Sequence, residues 1–166
     1  MTQRVFKISG AAIFIMSAER IVKSASLPTS IEPLMFSSNA ALAAQSALPV
    51  TVWQVGDSAK IRGDALRARE FALQAGVHFE PFAGVMPTQG VIVDALLGIG
   101  LSGAVKSPFV EAIAAINQSQ LPVFALDIPS GLCSDSGCVL GVAVRANATI
   151  TFIALKRGMF TADAEN

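Results

Sequence analysis

VIVDALLGIGLSG (residues 91–103) and, one amphipathic stretch later, VFALDIPSGL (residues 123–132) decide the fold. Each is an apolar run that carries one carboxylate, Asp94 or Asp127, and then turns through glycine or proline. Strands buried on both faces read as near-continuous apolar runs, and parallel α/β sheets bind their ligands at the carboxyl ends of such strands. Between the two segments the helix signals are clear: Ser107 as N-cap, Pro108 as first helical residue, and Phe109, Ala112, Ile113 and Ile116 on one face. Strand, crossover helix and strand predict a right-handed βαβ unit.

Working outward, PVTVWQV (residues 49–55) reads as a β-branched strand followed by a polar loop over residues 56–63. Asp64 is then placed to cap a helix that runs to about Ala75. Its half-buried face is expected at Leu66, Phe71, Ala72 and Leu73, with Arg62, Arg67, Arg69 and Glu70 in solvent. Gly76 stops this helix and residues 77–82 form a short strand. Downstream, residues 149–155 read as a further strand that leads into Lys156, Arg157 and Gly158. Residues 1–47 show no sustained period; a strand or helix at residues 8–16 and an alanine-rich helix at residues 39–47 are the readable pieces. The expectation is a three-layer, Rossmann-like α/β domain with a mainly parallel sheet.

At 166 residues the chain has the length of one domain. Twelve basic residues balance twelve acidic ones, so no electrostatic footprint for nucleic acid or an anionic membrane is present. No apolar run reaches the ~18 residues needed to span a bilayer. Arg4 and Lys7 before the apolar residues 8–16 have the outline of a signal peptide. Glu19, Arg20 and Lys23 follow at once and no good small-x-small cleavage site stands out, so a cytoplasmic location is expected. Two cysteines do not make a disulfide framework in a chain of this length.

Gly98, Gly100 and Gly103 spell G-x-G-x-x-G after a strand and before a helix, with Asp127 at the end of the next strand. That is close to a dinucleotide fingerprint, whose glycines let backbone N–H groups approach phosphate. Read alone it predicts a generic NAD-dependent enzyme. Against this, Ser107 and Pro108 start the helix about four residues too late. The fingerprint also gives no reason for Asp94 or for Pro129, Ser130 and Gly131; a purely structural glycine turn stays open beside it. Asp94 is expensive in an apolar strand unless donors, a cation or solvent meet it; a satisfied structural carboxylate is its plain reading. Asp127 either works on a ligand or only caps the turn that follows. Ser130 is no hydrolase nucleophile, since no G-x-S-x-G elbow surrounds it and the only histidine, His78, sits on another strand. Cys133 and Cys138 lack the further ligands a zinc site needs. Lys156 and Arg157 would meet either phosphate or solvent, and a solvated pair is the reading adopted.

DALLGIG, DIPSG and TITFIALK together resemble the N-terminal YjeF domain, the NAD(P)H-hydrate epimerase family, over residues 48–166. The family's GNNGGDG loop has no counterpart in residues 1–47, so the chain divides into an unmatched, poorly ordered segment (1–47) and a partial epimerase domain (48–166). The resemblance implies interconversion of the R and S forms of hydrated NADH and NADPH. It places Asp127 in catalysis and substrate contact, and Gly98, Ile99, Gly100, Leu101, Ser102, Gly103 and Ala104 in a substrate-binding loop. It makes Asp94 and Ser130 ligands of a potassium ion, whose remaining asparagine ligand belongs to the missing loop. Hard oxygens of that kind suit such a cation. A dehydratase partner, as a separate domain or chain, is also implied. A non-catalytic nucleotide-binding or protein-interaction domain is the alternative, and a sheet left without its first strand would keep an open edge that invites a homodimer.

Overall fold

The computed structural model describes residues 12–17, 39–45 and 49–161. Six runs become strands: β1 (Ala12–Ser17), β2 (Val50–Val55), β3 (His78–Pro81), β4 (Val91–Ala95), β5 (Val123–Leu126) and β6 (Ala148–Ile150). They form one sheet in the order β3-β2-β1-β4-β5-β6, with every pairing parallel. Around it lie α1 (residues 39–45), α2 (Asp64–Gln74) and α3 (Phe109–Gln118).

β1 occupies the middle of the sheet, with Ala12 opposite both Val50 of β2 and Val91 of β4. Residues 12–16, part of the apolar run 8–16 that has the outline of an export signal in the sequence, are therefore paired on both edges. The open edge expected where a first strand is missing does not arise. The rest of residues 1–47, apart from α1, lies outside the described residues.

Side chains alternate across the strands and fill two separate cores, which makes the domain three layers deep. On one face, Ile92 of β4 and Val123 of β5 pack with Phe109, Ala112, Ile113 and Ile116 of α3. All four of those helix residues are buried, as their spacing predicts. On the other face, Val50 and Val52 of β2 and Leu126 of β5 pack with Ala40 and Ala41 of α1 and Ala72 of α2. Apolar layers on both sides explain why β4 and β5 read as unbroken apolar runs.

Four local expectations need correction. The buried face of α2 is Ala68 and Ala72, while Leu66, Phe71 and Leu73 are exposed. Ala72 packs there with Val50 and Val52 of β2. The residue flanking α2 at its start is Gly63, which offers no side-chain cap; Asp64 is already helical. The sequence places the end correctly: Gly76 N–H donates to Leu73 O and Val77 N–H to Ala72 O, a Schellman closure with Gly76 at φ 85°. Ser107 does not cap α3; its hydroxyl donates to the Glu111 carboxylate and Pro108 takes the N-cap position. β6 is three residues long, because residues 151–155 leave the sheet to form the turn that carries Lys156.

Candidate functional site

In an open parallel sheet of this strand order, ligands bind outside the carboxyl ends of the strands where the order reverses, here between β1 and β4. β4 and β5 deliver Asp94 and Asp127 to that edge. Asp94 lies within β4, in register with Ile15 of β1 and Ala125 of β5; Asp127 is the first residue beyond β5.

Asp94 is fully buried. Its Oδ2 accepts from the Ser130 amide at 2.8 Å, and its Oδ1 accepts from the Ser130 hydroxyl at 2.6 Å and the Leu96 amide at 3.2 Å. Burial pushes its pKa up from 3.8 to about 6, against the pull of the bonds from Ser130 and Leu96. All these donors are neutral, and no Lys, Arg or His among the described residues pairs with the carboxylate. Ser130 Oγ also accepts from the Leu97 amide at 2.9 Å and lies 3.2 Å from Leu97 O. Two hard oxygens, Asp94 Oδ1 and Leu97 O, thus converge on a third, Ser130 Oγ. The turn that brings Ser130 there depends on Gly131 at φ 93°, where a Cβ would sit 1.9 Å from Val142 O.

Asp127 adopts φ 72°, and the Ile128 amide bonds back to Leu126 O at 3.0 Å across it. This is a γ-turn of the rare, strained hand. Such strain of order 1–3 kcal/mol persists only where the surroundings impose it. They do so through the segment after β6: the Asp127 amide donates to Ile150 O at 2.7 Å, and Asp127 Oδ1 accepts from the Phe152 amide at 3.3 Å and Thr151 Oγ1 at 3.5 Å. Lys156 Nζ forms an ion pair with the same Oδ1. Its remaining N–H groups go to Thr151 Oγ1 and Phe152 O, each at 2.9 Å. The Lys156 and Asp127 side chains are only 13% and 8% exposed.

The pairing overturns the reading of Lys156 as solvated. Its neighbour Arg157 is exposed and bonds Asp135 O at 3.2 Å. The sequence does carry a signal for Lys156, since TFIAL encloses no other polar side chain than Thr151 with which a lysine following so apolar a run could be satisfied. Nor does the Asp127 side chain cap the DIPSG turn: its bonds run to residues 151–156, and Ser130 holds the turn to Asp94 instead. The loop after β4 has Gly98, Gly100 and Leu101 half-buried and Ile99, Ser102, Gly103 and Ala104 exposed. The Leu101 amide closes it on Gly98 O at 3.3 Å and the Val105 amide ties its end to Leu140 O at 2.9 Å. α3 begins only at Phe109, so Gly103 does not open a helix as the dinucleotide fingerprint requires. His78 is exposed and pairs with Glu80 at 3.0 Å. Cys133 and Cys138 are free thiols, and no group of three or more metal-binding side chains occurs among the described residues.

An all-parallel sheet in this order, with two buried carboxylates at the carboxyl ends of adjacent strands, defines a Rossmann-like α/β domain. The likeness to the crystal structure of yeast ynu0 agrees: it covers 91% of this chain and 61% of that one with a TM-score of 0.71 at 13% identity. Residues 38–158 match the family described as YjeF-related protein N-terminus, and the chain belongs to that family. It is 49% identical over 123 residues to the Bifunctional NAD(P)H-hydrate repair enzyme Nnr of Coxiella burnetii, covering 74% of this chain and 25% of that protein. It is 49% identical over 69 residues to the NAD(P)H-hydrate epimerase of Limosilactobacillus reuteri, covering 42% of this chain and 32% of that protein. The chain thus spans about a quarter to a third of these relatives. No helix among the described residues is long and apolar enough to cross a membrane.

Proposed function

We propose that this chain is an NAD(P)H-hydrate epimerase domain, an isomerase that interconverts the R and S forms of hydrated NADH or NADPH. The observation that carries the reading is Asp127: a buried carboxylate on a strained turn at the ligand edge, where the family resemblance puts the catalytic group. Hydrated NADH and NADPH bear a hydroxyl at C6 of the reduced ring. As a general base, Asp127 takes the hydroxyl proton while the C6–N1 bond opens to an aldehyde and the nitrogen gains a proton from water. Rotation and closure on the other face return both protons and give the epimer. Residues 98–104 border the same edge and would hold the substrate.

Asp94 and Ser130, with Leu97 O, fit a monovalent cation, because a fully buried carboxylate and two hard oxygens meet with only neutral donors around them. Potassium bound there would supply the positive charge that this carboxylate lacks. The bifunctional relatives leave room for a second activity, for which a dehydratase on another domain or chain is the expected partner.

The test is chromatographic separation of the R and S forms over time. The domain should accelerate epimerisation above the spontaneous rate, and Asp127→Asn should lower that acceleration by about 10²–10⁴-fold. Binding of the hydrate without acceleration would reject the enzyme in favour of a nucleotide-binding module.

A further inference from the structure

Every hydrogen bond to the Asp127 carboxylate among the described residues falls on one oxygen. Oδ1 receives Lys156 Nζ, the Phe152 amide and, more weakly, the Thr151 hydroxyl. Oδ2 has no protein donor among the described residues. The asymmetry leaves Oδ2 as the oxygen available to a partner from outside the chain. We propose that Lys156 is a positioning residue that works with Thr151 and Phe152 to clamp Oδ1 of Asp127, leaving Oδ2 as the oxygen that takes the proton from the substrate. This rests on the epimerase reading and adds to it the residue that aims the base.

The arrangement has the rigidity such a task needs. Three acceptors, Asp127 Oδ1, Thr151 Oγ1 and Phe152 O, use the three N–H bonds of the Lys156 ammonium, so the side chain has one seat. Two of the three belong to the turn that Lys156 itself closes. That turn is anchored beyond Lys156, where the Gly158 amide donates to Ser134 O at 2.8 Å. On the other side, the γ-turn fixes the backbone of Asp127. The carboxylate is thus gripped at both ends, and positioning within a fraction of an ångström governs the rate of a proton transfer.

Steady-state epimerisation and thermal melts of Lys156→Met, Lys156→Arg and Thr151→Val test this. Lys156→Met should lower kcat about 100-fold with KM within threefold. Lys156→Arg, whose guanidinium can donate to the same oxygen, should recover at least tenfold of that loss. Thr151→Val should lower kcat severalfold. A folded Lys156→Met with kcat within twofold of wild type overturns the proposal; so does a raised KM at unchanged kcat, which would make Lys156 a substrate ligand. If Lys156→Met does not fold, wild-type kcat in both Lys156→Arg and Thr151→Val would overturn it, and a graded loss in the two would uphold it. Failure of the wild type to accelerate epimerisation would instead reject the epimerase reading itself, and the proposal with it.

Discussion

Replacing Asp94 with asparagine should remove a specific pH dependence from the stability of this domain. The Asp94 pKa rises from 3.8 to about 6 on folding because burial disfavours its charge. A carboxyl raised in this way stabilises the fold fully below about pH 3.8, and the contribution is lost as pH rises through about 6. At roughly 1.4 kcal/mol per unit, the ionised form costs about 3 kcal/mol at neutral pH, of which some 2–3 kcal/mol is lost between pH 4 and pH 7. Asp94→Asn keeps an acceptor for the Ser130 hydroxyl but turns an amide toward the Ser130 N–H, which in the native protein donates to carboxylate Oδ2. That lost bond, of order 1–3 kcal/mol, does not vary with pH. Urea unfolding followed by circular dichroism at both pH values, in tetramethylammonium buffer, gives the difference between wild type and variant, in which the other titrating groups cancel. The difference should shift against the wild type by about 2–3 kcal/mol on going from pH 4 to pH 7. A difference constant to within about 1 kcal/mol would refute the argument that an uncompensated charge is buried at Asp94. Potassium at saturating concentration should flatten the wild-type curve above pH 6 and leave that of Asp94→Asn unchanged.

Gly131→Ala, whose methyl would meet Val142 O at 1.9 Å, should destabilise the domain by more than about 3 kcal/mol; a loss under 1 kcal/mol in the same unfolding assay would show that the turn can open. Ile113→Ala empties a fully buried position under α3 and should cost about 2–5 kcal/mol. Asn117→Ala removes the side chain that donates to Ala143 O and accepts from the Arg145 amide, both at 2.8 Å, and should cost about 1–3 kcal/mol, with faster amide exchange at Arg145 as its local signature. Hydrogen bonding from Ser136 lowers the Cys133 thiol pKa, so Ser136→Ala should slow alkylation of Cys133 by iodoacetamide at pH 7.5, as peptide mapping would show.

The parts of this fold that are legible in the sequence are those where one interaction dominates. Ile92 to Leu97 and Val123 to Leu126 are apolar because layers cover both faces of the sheet, and Phe109, Ala112, Ile113 and Ile116 repeat at helical spacing because one face of α3 is buried. Asp94 stands out for the same reason, as a charge where none is expected. β1 is not distinguishable from a helix or an export signal by pattern, since the six residues AIFIMS satisfy either and its partners lie far along the chain. The α2 face misleads because packing there selects alanine over the larger Leu66, Phe71 and Leu73, against the hydrophobic ranking. Lys156 is hard to read because a lysine after a strand is usually solvated; the apolar run before it hints at burial, but the carboxylate that satisfies it comes from Asp127, just beyond β5 and far along the chain.

The middle place of β1 has a consequence for how the chain reaches this structure. The strand that everything else flanks is made first, and its neighbour β4 is made last of its two partners: Ala12 lies opposite Val91. At ~5–20 residues per second, ribosomal synthesis leaves about 4–16 s between the two. During that interval one edge of an apolar strand has no template, and a parallel pairing across such a span closes slowly because a long loop must be ordered first. Nascent β1 is therefore the segment most in need of a chaperone's cover, and slower elongation before β4 should raise the share of chains that aggregate.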